Sequence, residues 1–259
     1  MTPSLTQEHI GPVGVLRLNR PPANTLSLDF LKALRAEIEE AAQNPSLRCL
    51  VITSALKKYF SAGMDLEDIL PRPKIEQEQA FFDLFGLYMD LVRFPKPTLI
   101  AINGAALLGG WIIAMGCDFR LIAPRGKIAL SEIRLGITPT TMLIEALARM
   151  TKNQVLVKEM ILMGKTVGAE EALASGLVER IVPAESLMEE SLRQAGRLSE
   201  LPSCAYASIK KSYRTAPGGD PEQFLQASAR EFLEIFHGPE AREGLAAMRE
   251  KRRPKYHGN

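Results

Sequence analysis

Hydrophobic and polar positions follow two different periods along this chain, and the switches between them mark its elements. From Gly11 to Leu18, V-G-V-L-R-L alternates with period two, which predicts a strand that Asn19-Arg20-Pro21-Pro22 ends. Leu31, Leu34, Ile38 and Ala41 share one helical face, so a helix is predicted over Leu28 to Ala42, with Ser27 as N-cap and Asn44-Pro45 as its stop. Cys49 to Thr53 reads as a short buried strand, and Tyr59 to Leu66 as the turn after it. Pro71 to Lys74 reads as a surface loop leading into a helix from Glu76 to Val92. Further on, Phe119 to Ala123 and Lys127 to Leu130 predict strands. Helices follow over Thr140 to Met150, Asn153 to Leu162 and Ala169 to Ser175, the last closed by Gly176, and Leu177 to Pro183 predicts one more strand. From Ser186 onward the pattern is helical, broken near Pro202, between Pro217 and Pro221, and at Gly238-Pro239. Units at this spacing predict an α/β fold with roughly parallel strands, and a helical tail packed against the main body or a neighbouring subunit.

The stretch from Ile100 to Ile137 organises the rest. A β-rich T-L-I-A-I run after Pro95 and Pro97 leads into Asn103-Gly104, Gly109-Gly110 opens a short uncharged helix, and a polar return ends in Ser131-Glu132. Thr98 to Cys117 carries no charge and is long enough to cross a bilayer, which takes about 20 residues. Asn103, Gly104, Gly109 and Gly110 interrupt it and aromatic interface anchors are missing, so a strand followed by a helix is expected instead. Glycines at a helix start let the backbone approach a ligand closely and present free N–H groups. For Gly109 or Glu132 taken singly, close packing and an exposed turn carboxylate are the plainer explanations.

Composition narrows the function classes. The 259 residues, 46% of them hydrophobic, suffice for one large domain or a domain with an appendage. A formal charge of +2 supplies no dominant basic field, and the basic run Lys251-Arg252-Arg253 lacks interleaved aromatics, so no nucleic-acid or membrane partner is expected. Cys49, Cys117 and Cys204 lie far apart, against a disulfide scaffold or zinc site and in favour of a reducing compartment. The N-terminus shows no targeting pattern, which gives the cytoplasm as the expected location, or the mitochondrial matrix for a trimmed chain. There is no G-x-S-x-G, Walker-type loop, G-x-G-x-x-G after a strand, or H-E-x-x-H, and His9, His237 and His257 sit near the ends. An enzyme with this inventory would draw its acid–base group from the carboxylates, with no metal.

Five motifs in a fixed order carry a resemblance. Phe60-Ser61-Ala62-Gly63-Met64-Asp65, Ile102-Asn103-Gly104, Leu108-Gly109-Gly110, Cys117-Asp118, and Ser131-Glu132-Ile133-Arg134-Leu135-Gly136-Ile137 together resemble the crotonase (enoyl-CoA hydratase/isomerase) superfamily. Arg20-Pro21-Pro22-Ala23-Asn24, Ala169-Glu170-Glu171-Ala172 and Gly176-Leu177-Val178 extend the similarity, which spans about Gly11 to Pro183. The resemblance implies a crotonase-type spiral of ββα units over residues 1–195 and a helical trimerisation region over 196–259. The expected assembly is a homotrimer or a dimer of trimers. Acyl-CoA thioesters are the implied substrates, with coenzyme A as part of the substrate and no separate cofactor. An oxyanion hole is implied at the backbone amides of Met64 and Gly109, with substrate contacts along Ala62, Gly63, Met64, Asp65 and Leu66, at Gly109 and at Ser131. Lys57, Lys58 and the Lys251-Arg252-Arg253 run either meet the CoA phosphates or form a solvated basic surface.

The acids separate the reactions within that superfamily. Its hydratases usually carry one glutamate just after the Gly-Gly pair and a second in the later turn; here the first position is Ile112, flanked by Trp111 and Ile113, while the second is Glu132. Splitting water needs two groups, whereas one base can carry a proton from C2 to C4 of a 3-enoyl thioester. In that respect, and in Asn24-Thr25-Leu26-Ser27, the chain is similar to the single-glutamate 3,2-trans-enoyl-CoA isomerases. Glu132 is thus the expected catalytic base of an isomerase, its basicity raised by apolar neighbours such as Leu130 and Ile133. Acyl-chain length is expected to depend on Trp111, Met142 and the Glu76 to Val92 region. Hydration with a displaced acid, thioester hydrolysis, decarboxylation, and acyl-CoA binding without turnover stay open as alternatives.

Overall fold

The computed structural model describes residues 4–214 and, beyond them, the scattered positions 238, 239, 243, 246, 247, 250, 252 and 255. Its first strands, β1 (Leu5–Ile10) and β2 (Val13–Leu18), pair antiparallel with Leu5 opposite Leu18, turning at Gly11, whose φ is +58°. The hydrophobic pattern does not announce β1, because an edge strand has one neighbour only and L-T-Q-E-H-I keeps much of its surface exposed. Helix α1 (Leu28–Gln43) begins as predicted, the Phe30 amide donating to the Ser27 hydroxyl at 3.3 Å, and it buries Leu31, Leu34, Ile38 and Ala41.

Three strand–strand–helix units follow. The first is β3 (Cys49–Ser54), β4 (Tyr59–Ser61) and the helices α2 (Leu66–Ile69) and α3 (Lys74–Arg93); the second is β5 (Thr98–Ile102), β6 (Ala105–Leu107) and α4 (Gly109–Gly116). The third is β7 (Phe119–Ile122), β8 (Lys127–Ala129) and, after a single 3-10 turn at Glu132–Leu135, α5 (Thr141–Met150). In each unit the first strand enters one sheet and the second strand another. With α6 (Gln154–Met163), β9 (Val167–Gly168), α7 (Ala169–Ala174) and β10 (Arg180–Ile181), the sheets run β1-β2-β3-β5-β7-β10 and β4-β6-β8-β9. Pairing is parallel from β2 to β10 and from β4 to β8, and antiparallel at β1/β2 and β8/β9. This α/β spiral is the expected fold, with corrections in its short elements: Tyr59–Ser61, expected as turn, is a strand of the smaller sheet, and the sequence pattern announces neither β6 nor β9 of that sheet.

Both faces of the larger sheet are covered, which explains the unbroken apolar reading of β3 and β5. Leu50, Ile52, Ile100 and Ile102 face the main core with α1, α3 and α4, whereas Cys49, Val51, Leu99 and Ala101 pack on Leu187 and Ala195 of α8 (Leu187–Ser199). The units interlock at their turns. The Asn103 amide nitrogen donates to the carbonyls of Ser54 (3.0 Å) and Leu56 (2.9 Å), and a Cβ on Gly104 would lie 2.4 Å from the Lys58 carbonyl. Thr98 to Cys117, apolar enough to resemble a membrane span, is divided among β5, β6 and α4. Among the described residues no helix is long and apolar enough to cross a membrane.

Helix α9 (Ser203–Arg214) is tied to this body in part through one carboxylate, Asp118. Asp118 Oδ2 accepts from Lys210 Nζ (2.9 Å), Tyr206 Oη (3.0 Å) and both the amide (2.9 Å) and hydroxyl (3.0 Å) of Thr98. Burial lowers the pKa of Lys210 despite the attraction of Asp118. Lys210→Met is expected to cost about 3 kcal/mol, since removing one member of a buried pair leaves the Asp118 charge to Arg214 at 3.4 Å and the neutral donors Tyr206 and Thr98. Urea unfolding checks this, and a loss below about 1 kcal/mol would mean the pair is not essential to docking α9.

Candidate active site

Two backbone segments and one side chain meet at a cavity of about 150 Å³. The first segment, Phe60 to Asp65, is held by Asn24-Thr25-Leu26. Asn24, fully buried at φ +49°, donates through its side chain to Phe60 O (2.8 Å) and accepts at its own carbonyl from the Ser61 hydroxyl (2.7 Å). Leu26 bridges the segment by donating to Gly63 O (2.8 Å) and accepting from the Asp65 amide (3.0 Å). That register skips the N–H of Met64, which donates no hydrogen bond among the described residues.

The second segment is the start of α4. Leu108 sits at φ +51°, uncommon for a side chain of that size, held by its amide on Ala129 O (2.8 Å) and its carbonyl under the Ile112 amide (2.9 Å). Gly109 follows as the first helical residue, and its N–H likewise donates to nothing among the described residues. The two segments are in close contact. A Cβ on Gly110 would lie 2.5 Å from Ser61 O, and one on Gly63 would lie 3.2 Å from Gly109 N. Two free N–H groups, one at a helix start, thus open beside the same cavity.

Glu132 begins the 3-10 turn, which Gly136 ends at φ +70°. The side chain is 7% exposed, and Oε2 is buried without a hydrogen-bond partner. Burial raises the Glu132 pKa, opposed by a hydrogen bond from its own backbone amide. It is the sole ionisable side chain on the cavity wall among the described residues; Ile112, 2% exposed, lines the position where a second acid would project. Phe81, Leu84 and Phe85 of α3 form one side of the cavity, and Leu135, Ile137 and Leu143 another.

The sequence expectations divide accordingly. Met64, Leu66, Gly109 and Glu132 line the cavity together; Ala62, Gly63, Asp65 and Ser131 flank it outside the lining. Asp65 caps α2 and pairs with Arg20 at 2.7 Å: burial pushes its carboxyl up, but bonds from Arg20, the Asp68 amide and Thr25 hold it below its ordinary value. Trp111, expected at the acyl pocket, is fully buried away from it, and Met142 packs on the core instead; the one-residue offset on a short helix turns Ile112, not Trp111, toward the cavity. Leu135 and Ile137 carried no signal in the sequence, since exposed apolar residues in a turn have no period to read, whereas Leu143 lies buried in the predicted helix α5, whose period does not say which cavity it faces. Lys57 and Lys58 are exposed, and Arg252 pairs with Glu243 and Glu250, while Lys251, Arg253, His237 and His257 lie outside the described residues. Among the described residues no group of three or more His, Cys, Asp or Glu could hold a metal ion.

A base with a raised pKa must still be ionised to act. The acid limb of kcat/KM against pH is therefore expected above the ordinary carboxylate value of 4.5. A limb at or below that value would contradict a buried Glu132 as the base.

Two unpaired amides and one buried carboxylate around one cavity, carried on a spiral of strand–strand–helix units, define an enzyme of the crotonase-fold class. Comparison with known proteins agrees: the profile of the enoyl-CoA hydratase/isomerase family matches residues 8–259, and the chain belongs to that family. It is 30% identical to carnitinyl-CoA dehydratases of Salmonella typhi and Escherichia coli K12, over the full length of each chain. Among solved structures, DspI of Pseudomonas aeruginosa superposes with a TM-score of 0.90 at 32% identity, covering 98% of this chain and 97% of the other. Enoyl-CoA hydratase of Bacillus anthracis does so with 0.91 at 29%, covering 99% and 100%. The reactions these relatives are named for are dehydration and hydration, so they support the family and an acyl-CoA enzyme rather than isomerisation in particular.

Proposed function

We propose that this protein is an enoyl-CoA isomerase that shifts the double bond of a 3-enoyl-CoA to the conjugated 2-trans position, as fatty acid β-oxidation requires. The observation that carries this reading is that, among the described residues, a single carboxylate, Glu132, lines the same cavity as Met64 and Gly109, whose amides donate no hydrogen bond, with Ile112 in place of a second acid. The thioester oxygen sits between the N–H groups of Met64 and Gly109. Glu132 takes the C2 proton, and the C2–H electrons move toward the carbonyl to form a dienolate whose oxyanion the two amides hold. The protonated Glu132 then returns the proton at C4 while the double bond forms between C2 and C3. Proton count and charge balance over the cycle, and coenzyme A within the substrate is the one cofactor involved. Each amide contributes on the order of 3 kcal/mol to the developing oxyanion. The proposal includes cytoplasmic location and assembly as a homotrimer or dimer of trimers through the C-terminal helices.

Hydration or dehydration is the second reading, favoured by the names of the relatives. Purified protein given 3-cis-enoyl-CoA and 2-trans-enoyl-CoA in parallel separates the two by the absorbance of the conjugated thioester. Absorbance rising with the first and constant with the second is the expected result. Loss of absorbance with the second would replace isomerisation by hydration. No change with either would move the reading to thioester hydrolysis, decarboxylation or binding without turnover.

A further inference from the structure

We propose that Arg214 is a positioning residue for the thioester-binding amide of Gly109, acting through α4 from its far end. Helix α4 is only eight residues long, about 12 Å at 1.5 Å per residue, and Gly109 is its first residue. At its other end the carbonyls lack intrahelical partners, as at every helix C-terminus. The Arg214 guanidinium supplies them: Nη1 donates to Met115 O (3.2 Å), and Nη2 to Cys117 O (2.6 Å) and Gly116 O (3.5 Å), with Asp118 Oδ1 at 3.4 Å. Arg120 reaches Cys117 O (2.8 Å) and Asp118 O (3.4 Å), both beyond the helix, and is otherwise committed to Leu177 O and Glu179. Among the described residues Arg214 is thus the side chain that grips the last turn itself.

This grip comes from a distant part of the chain. Arg214 ends α9, nearly a hundred residues after α4, and among the described residues only its fork hydrogen-bonds from the C-terminal helices to the last turn of α4. At the opposite end, Gly110 against Ser61 O and the Leu108 amide on Ala129 O fix the start of α4. Held at both ends, a short helix keeps the Gly109 N–H aligned; released at one end, it tilts and misdirects that amide. A cation at the carboxyl end also reinforces the favourable potential that the helix dipole provides at its start. The inference rests on the role given above to the Met64 and Gly109 amides, but not on which reaction follows.

The test uses the full chain with Arg214→Met and Arg214→Lys. One readout is kcat against KM on whichever enoyl-CoA is turned over. The other is the absorption of a bound push–pull cinnamoyl-CoA thioester, which moves to the red as its carbonyl is polarised, and which reads the amide pair without catalysis. Arg214→Met is expected to lower kcat about tenfold with KM within about twofold, and to shrink the red shift; the drop is smaller than the hundredfold of a full ~1 Å misplacement. Arg214→Lys is expected to fall between, because an ammonium cannot serve three carbonyls as the planar fork does. Unchanged kcat and red shift in both variants, with only the melting temperature lowered, would overturn the proposal. A red shift in the unaltered protein without isomerisation would sink the proposed reaction alone, whereas no red shift at all would overturn the positioning role together with the amide pair it serves.

Discussion

Glu132→Gln is expected to lower turnover by about 10³- to 10⁴-fold, the upper range for loss of a positioned acid–base group. Glutamine keeps the shape of the side chain but cannot take the C2 proton, and no second ionisable group lines the cavity among the described residues to substitute for it. Affinity for a saturated acyl-CoA should therefore change little. The same variant carries an opposite effect on stability. Glu132 has a folded-state pKa above its ordinary 4.5, so the fold favours the protonated form. Its favourable contribution is full below 4.5 and is lost as pH rises through the raised value, because the unfolded chain releases its proton first. At neutral pH Glu132→Gln should thus melt higher than the parent, and the difference should disappear below pH 4.5. Turnover within tenfold of the parent would remove Glu132 from the catalytic role, and a lower melting temperature at neutral pH would contradict its burial penalty.

Gly63→Ala is expected to lower kcat about 10²- to 10³-fold, comparable to loss of one oxyanion donor. Gly63 has φ +94°, where an L side chain is strained, and its Cβ would lie 2.9 Å from Leu108 Cβ and 3.2 Å from Gly109 N. Both proposed donors flank that point, so the added methyl drives Met64 and Gly109 apart. The strain should also cost about 1–3 kcal/mol of stability. Gly109→Ala provides the internal comparison. Its Cβ would meet Leu26 Cδ1 at 2.9 Å, the far end of a flexible side chain, so that variant should lose less of both. If Gly109→Ala proved the more damaging in kcat, the clash at Leu108 would not govern the geometry of the amide pair.

The order of strands and helices was legible because each main strand and helix buries a face that repeats with its own period. Leu31, Leu34, Ile38 and Ala41 of α1, and the alternation within β2, show this directly. That Glu132 and the start of the Gly109-Gly110 pair share one cavity was expected as well, since backbone approach and a buried carboxylate each demand particular residue types. Tyr59–Ser61 escaped because it runs straight into the Ala62-Gly63 turn with no polar alternation to set it apart, and β1 because an edge strand leaves much of its surface polar. What local pattern could not carry was direction. Trp111 and Ile112 are adjacent and equally apolar, yet only Ile112 faces the cavity, because Gly110 against Ser61 sets the rotation of α4. The free N–H of Met64 depends on the register of Leu26 with Gly63 and Asp65, and the burial of the Glu132 carboxylate depends on walls that α3 and α5 bring from elsewhere in the chain. Residue type set the available chemistry through local sterics and charge; long-range packing, which no short window of sequence contains, decided which groups face one another.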